Sequence, residues 1–320
     1  MSEYLDHQNF PRLLEKSYGE GAMLRARSVG RGGEYASGYF DIVRFFGPKA
    51  ISPERIKITH QAEPFAFSDH LVAEFSHQIE AELRKCGRIY DGPKAMKLVS
   101  ASFEASAGEL LVQPANYGDQ AGSCFALDYP SDLFAGYGGT LREYLFSKNP
   151  NHDLESNPLA ICLGGAAYAV VVDRGKPYLL QVERSGKLAS LENSLGPSVA
   201  GSVDWETDST NLLDLLTGAL VAEAKEELGW DRQEFELIPL AYAREILRGE
   251  RPQLFAYLVT RMSCEKIAAR LGAIPESKRE ISGYSFVPFD GGMLSQGQIA
   301  RLNFEAKTAY YLLEEALALA

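Results

Sequence analysis

The chain has 320 residues, 46% of them apolar and 23% charged, the composition of a globular protein long enough for two domains. Its formal net charge of -11 argues against a nucleic-acid polymer or an anionic membrane as the main partner. A small phosphorylated substrate stays open, because a bound metal inverts the local field.

The four cysteines, Cys86, Cys124, Cys162 and Cys264, form no C-x-x-C pair and fit buried thiols in a reducing compartment. The opening MSEYLDHQNF lacks the apolar stretch of a signal peptide, and no run approaches the roughly 18 apolar residues of a membrane span. A cytoplasmic location is therefore expected. Nothing in the sequence indicates an oligomeric state.

In chain order, residues 12–17 suggest a short helix. The glycines after it (Gly19, Gly21, Gly30, Gly32, Gly33, Gly38) suggest short strands and turns. Residues 55–59 alternate and read as a strand. Ser68 or Asp69 is placed to cap a helix running to about Lys85, with Leu71, Phe75, Ile79 and Leu83 on its apolar face. His70 and His77 on that helix have no third ligand nearby and read as structural or solvated. A hairpin is expected from 97–104 and 109–113 around 105–108. Gly136, Gly138 and Gly139 match neither a G-x-G-x-x-G nor a Walker pattern, so they receive no phosphate-cradling role. The polar stretch 147–158, with Pro150 and Pro158, is the best linker. It separates an N-terminal α+β domain over 1–150, of unknown role, from a second domain over 158–320.

The second half starts with a hairpin: an apolar run at 166–172, a turn at 173–177 and a return at 178–183. Residues 195–204 are small, and 205–210 form a polar loop. A strongly apolar helix follows from about Asn211 to Leu228, stopped by Gly229. Residues 235–246, 252–260 and 281–288 read as strands, 264–271 as a helix, and 299–317 as a last amphipathic helix. This order implies an α+β fold, with a mixed sheet and helices packed on it.

The end of the 211–228 helix carries the chemistry. Glu223, Glu226 and Glu227 lie at i, i+3 and i+4, which makes them neighbours on one surface. Leu213, Leu216, Leu220 and Ala224 form one apolar stripe; Glu227 falls inside it and Glu223 at its edge. A carboxylate on a packing face is costly unless something compensates it, and a divalent cation is the simplest candidate.

These residues resemble the Nudix box, G-x5-E-x7-R-E-U-x-E-E-x-G-U, where U is a bulky apolar residue. Its second half matches at Glu223, Glu226, Glu227, Gly229 and Trp230. Upstream, Ala200 and Gly201 look like the glycine-bearing strand end that precedes the helix in this family. The front of the box differs. Ala222 stands where the family has arginine, and Asp214 and Asp208 stand where glutamate and glycine are expected. With Gly201 as the loop glycine instead, the segment before the helix is lengthened. The resemblance covers 158–320, and 109–145 look similar to the N-terminal region of some larger, two-domain bacterial Nudix proteins.

The resemblance implies a Nudix-like α/β/α sandwich and metal-dependent hydrolysis of a nucleoside diphosphate linked to another moiety. Mg²⁺ or Mn²⁺ would be the cofactor. Glu226 and Glu227 match metal ligands, Glu223 a ligand or the residue that activates water, and the carbonyl near Ala200 or Gly201 a further ligand. Glu280 is the candidate for the family's loop carboxylate, with Glu276 the alternative. Tyr168, Tyr242 and Tyr257 could stack on a base, and Arg244 and Arg248 could meet phosphates, although core and strand-end roles suit them better. The alternative is a catalytically silent Nudix-fold protein that binds a nucleotide or a protein partner.

Overall fold

A computed structural model describes residues 40–319 except 48–49, 88–93, 149–156, 186–193, 207, 276–279 and 290–293. The helix expected at 12–17, the glycine cluster up to Gly38, the middle of the 147–158 linker and Glu276 lie outside the described residues.

The first half supplies β1 (Phe40–Phe45), β2 (Ile56–His60), α1 (His70–Lys85), β3 (Lys94–Phe103), β4 (Gly108–Asn116), α2 (Tyr117–Ser123) and α3 (Leu141–Lys148). The second supplies β5 (Gly164–Asp173), β6 (Lys176–Arg184), β7 (Leu195–Gly196), β8 (Val199–Ser202), α4 (Leu212–Leu228), β9 (Phe235–Glu245), β10 (Arg251–Thr260), α5 (Cys264–Ala273), β11 (Ile281–Pro288), α6 (Gln296–Arg301) and α7 (Phe304–Leu319). The larger sheet runs β1-β9-β10-β5-β6-β11, with β8 paired to β5 and β7 to β6. β10 and β5 are parallel, whereas the other pairs in this sheet are antiparallel. A smaller sheet, β2-β4-β3, joins β2 parallel to β4 and β3 antiparallel to it.

The apolar run of β5 is continuous because both faces of the larger sheet are covered. Ala167, Ala169 and Val171 pack with Leu212, Leu215, Leu216 and Leu220 of α4, with Ile267 and Leu271 of α5, and with Ile58, Leu98 and Leu110 of the smaller sheet. Ala166, Tyr168 and Val170 point the other way, onto Tyr310 and Leu313 of α7. The β5–β6 turn places Arg174 (φ 49°) and Gly175 (φ 76°) in the left-handed region, as a two-residue hairpin of this hand requires.

The helix ends follow their caps. In α1, Asp69 accepts from the backbone N–H groups of Leu71 and Val72, and Val72, Phe75, Ile79 and Leu83 are buried. Asn211 caps α4 by accepting from Asp214 N–H, and Gly229 ends it at φ 68°. The single last helix expected at 299–317 is instead two helices. Asn303 interrupts it. Its Oδ1 accepts from Ala306 N–H (2.8 Å), its Nδ2 donates to Ser194 Oγ (3.1 Å), and its own N–H donates to Leu195 O (2.9 Å). These bonds to the segment at β7 override the apolar period.

The two halves are joined through backbone bonds. β1 pairs with β9, so a strand of the first half extends the sheet of the second. Met96 N–H donates to Val203 O (2.9 Å) and Leu163 N–H to Met96 O (2.8 Å), which lays β3 along the segment leading out of β8.

Candidate functional site

The core-facing side of α4 runs out of leucines and continues into acids. After Leu216, Leu220 and Ala224, the next residues on that side are Glu227 and Leu228. Glu227 is only 7% exposed, as the spacing predicts, while Glu223 is half-buried and Glu226 exposed. Burial holds the Glu227 carboxyl well above the usual carboxylate range, and Glu223 and Glu280 push it further the same way. Arg184 opposes the shift. So does Ala200 N–H, which donates to Glu227 Oε2 (3.2 Å).

Glu223 faces β8. A Cβ on Gly201 would land on its carboxylate, so Glu223 rests in the space that the glycine leaves. The Glu223 carboxyl is pushed up to about 8, first by desolvation and then by Glu280, Glu226 and Asp204, with Arg184 opposing. Glu280 stands just before β11. Its carbonyl accepts from Ser185 N–H (2.8 Å), and Ile281 pairs with Arg184, so the β11 entry lies beside the β6 exit. Glu280 is exposed, yet its carboxyl is raised by desolvation and by Glu226, against Arg184. Asp204 is also raised, by desolvation, Glu206 and Glu226.

The structure thus gathers Glu223, Glu226, Glu227, Glu280 and Asp204 into one acidic field opposed by the Arg184 guanidinium. Asp204 and Arg184 were not singled out from the sequence. Asp204 closes the small-residue segment 195–204, which is a faint signal. Arg184 had none, because only strand pairing brings the β6 end to this place. Ala222, where the resemblance expects an arginine, is exposed on α4. Asp214 belongs to the other end of the helix, where its Oδ2 accepts from Asn211 Nδ2 (2.7 Å). Nine residues of helical rise put it about 13 Å from Glu223.

The remaining sequence candidates fall elsewhere. Tyr168 and Tyr242 are fully buried core residues, and Tyr257 is half-buried. Arg244 is paired with Asp41 (3.2 Å) and Glu250 (2.8 Å). Arg248 is buried, paired with Glu245 (3.0 Å) and held between the rings of Phe125 and Phe304.

An all-oxygen donor set suits a hard divalent cation such as Mg²⁺ or Mn²⁺. The glycine cradle for Glu223 and the mutual repulsion of the buried acids fit that chemistry as well. Among the described residues, no three His, Cys, Asp or Glu side chains converge closely enough to ligate one ion as they stand. Among the same residues, no helix is long and apolar enough to cross a membrane.

No protein-family model matches the sequence, and comparison with curated proteins finds no match. Among solved structures, the chain is similar to the Ap4A hydrolase of C. elegans, with 14% identity over 49% of this chain and 98% of that one, at a TM-score of 0.31. It is similar to the NUDIX domain of Shewanella oneidensis NrtR, solved with ADP ribose, with 13% identity over 56% of this chain and 99% of that one, at a TM-score of 0.34. The Nudix hydrolase RenU of M. smegmatis shows 14% identity over 49% of this chain and 85% of that one, at a TM-score of 0.34.

Proposed function

We propose that the protein is a metal-dependent hydrolase that cleaves the pyrophosphate bond of a nucleoside diphosphate linked to another moiety. The Nudix-like domain is assigned to residues 158–320, with β1 of the first half added to its sheet, and the α+β domain to the rest of residues 1–150. The observation that carries this is Glu227, buried on the packing face of α4 beside Glu223, which sits in the space left by Gly201. A carboxylate pair kept at such cost has a use that a solvated acidic helix end lacks.

A diphosphate repels an attacking water by its own charge. Divalent metal, when bound, neutralises that charge and acidifies the water. Glu226, Glu227 and Glu280 would hold it, with the carbonyl near Gly201. Glu223 either joins them or takes the proton from water. Arg184 binds a diphosphate oxygen and offsets the acidic field. The substrate is a small phosphorylated molecule, and the cytoplasm is the compartment that supplies it.

Mg²⁺ or Mn²⁺ should raise the melting temperature of the wild type but not of the Glu226→Gln/Glu227→Gln double variant. No metal effect on the wild type sinks the metal site. Incubation with ADP-ribose, NADH, dinucleoside polyphosphates, CoA and nucleotide sugars, followed by product assay, then identifies the substrate. A second function, silent binding of a nucleotide or partner, is favoured by Ala222, whose methyl group cannot hydrogen-bond and so cannot orient the neighbouring carboxylates. Metal binding without turnover of any compound would decide for it.

A further inference from the structure

Helix α2 and the residues after it belong to the first half of the chain, yet they are bonded to the second. The Ser202 hydroxyl donates to Gln120 Oε1 (3.3 Å), and Arg142 Nη2 donates to Leu247 O (2.5 Å). Along this seam lies a recess, walled by Cys124, Phe125 and Asp128 of the first half and by Leu247, Arg248 and Phe304 of the second. It has room for one body of about the size of a water molecule. Phe304 belongs to the α7 side of the larger sheet, whereas Glu223 and Glu227 belong to α4 on the other side.

Arg248 is the cation in this wall. It is 5% exposed, and its guanidinium lies over the rings of Phe125 (4.5 Å) and Phe304 (5.2 Å). Its Nε faces Glu245 Oε1 at 3.0 Å, but its Nη2 has no hydrogen-bond partner among the described residues. A buried N–H of a charged group left unbonded is costly. The acceptors around the recess already hold other donors. Arg142 bonds both Asp128 oxygens (2.6 and 2.8 Å) as well as the Leu247 carbonyl. The Cys124 thiol donates to Ala160 O (3.4 Å). A water in this place would satisfy Nη2 but needs acceptors for its own hydrogens. An anion needs donors only.

The charges agree with an anion. Glu245 is fully buried and shared between Arg248 and Arg251 (3.5 Å), so two guanidinium groups face one carboxylate. Glu305 stands beyond the Gln253 amide, which accepts from Arg251 Nη1 (2.7 Å) and donates to Glu305 (2.7 Å). Asp128 is neutralised by the two bonds from Arg142. Phe304 opens α7, so the positive end of that helix adds to the field.

We infer that this recess is a binding site for one monatomic anion of the size of chloride, held by Arg248 Nη2 and closing the seam between the two halves of the chain.

The test is a set of melting curves on the full-length, metal-free protein. Sodium gluconate, whose anion is too large for the recess, is exchanged for sodium chloride at a constant ionic strength of about 0.15 M. Chloride should raise the melting temperature of the wild type by about 3–6 °C, the effect of a ligand well above its dissociation constant. Bromide should act alike. Arg248→Met, which keeps the stem and removes the donors, should lose the shift. Arg301→Met, at an exposed position, should keep it. If Arg248→Met does not fold, a bromide-soaked crystal of the wild type decides, with an anomalous peak expected beside Arg248 Nη2. Equal melting in chloride and gluconate, a chloride shift that survives in Arg248→Met, or an anomalous map without a peak at Arg248 overturns the inference. No metal or substrate enters the test, so the carboxylate site stands or falls separately.

Discussion

Replacing Glu227 by glutamine should stabilise the protein when no metal is present and lose most or all of that advantage to the wild type when metal is present. The carboxyl is buried, and its proton affinity is raised by burial and by Glu223 and Glu280. Its ordinary value is 4.5. At pH 7 the energy stored in the ionised form cannot exceed the cost of protonating it, about 2.5 pH units or about 3.4 kcal/mol. Arg184 and the Ala200 N–H recover part of this, and glutamine keeps an oxygen for Ala200. The net gain should be about 1–3 kcal/mol, or about 2–6 °C for a chain of this size. A carboxyl whose value is raised on folding costs nothing below its unfolded value and costs more as pH rises above it. The advantage of Glu227→Gln should therefore be present at pH 7 and gone at pH 4.5. Mn²⁺ at a hundred times its dissociation constant should stabilise the wild type by about 2.7 kcal/mol and the variant by far less. The assay is a pair of melting curves, in EDTA and in Mn²⁺, at each pH. A lower melting temperature for Glu227→Gln in EDTA at pH 7 would refute the reasoning, because it would make the carboxylate a net stabilising hydrogen-bond acceptor.

Gly201→Ala should push the flexible end of Glu223 aside at little cost in stability, less than about 1 kcal/mol, and abolish the Mn²⁺-dependent rise in melting temperature; an unchanged Mn²⁺ response would show that Glu223 need not sit there. Glu234→Gln should cost about 1–2 kcal/mol at pH 7 by urea denaturation, because Arg270 binds that carboxylate with both terminal nitrogens and Lys266 approaches it at 3.1 Å. The Arg270 hydrogen bonds hold Glu234 down at about 2, so its stabilisation should be complete above pH 4.5 and fade as pH falls toward 2, a window the variant should lack. Asn303→Ala should cost about 1 kcal/mol through the lost cap of α7, read as a lower urea midpoint at constant slope.

Elements whose cause is local were legible in the sequence. Asp69 caps the helix it precedes, Gly229 stops α4, and Arg174 and Gly175 make the tight turn of the β5–β6 hairpin, because each acts on backbone groups within a few residues. The C-terminal helix was legible only in part. Its apolar period runs through Leu302 and Asn303 without a break, and the interruption comes from Ser194 and Leu195, which are remote in sequence. The same distinction applies to the site. The helical spacing of Glu223, Glu226 and Glu227 is a local property, and so is the arrival of Glu227 on the packing face. Arg184 comes from the end of β6, Asp204 from the segment after β8 and Gln120 from a helix of the other half, and no spacing connects them to α4.

The sequence by itself therefore determined the acidic end of an apolar helix and the order of strands around it, since periodicity and capping are short-range effects. The tertiary structure alone decided what faces those acids. Strand β6 splits from β5 where β8 takes over the pairing, and that change of partner brings Arg184, Glu280 and the glycine cradle together. It also lays Gln120 of the first half against Ser202. Pairing across large sequence separations depends on which surfaces can be buried together, and that is a property of the whole fold.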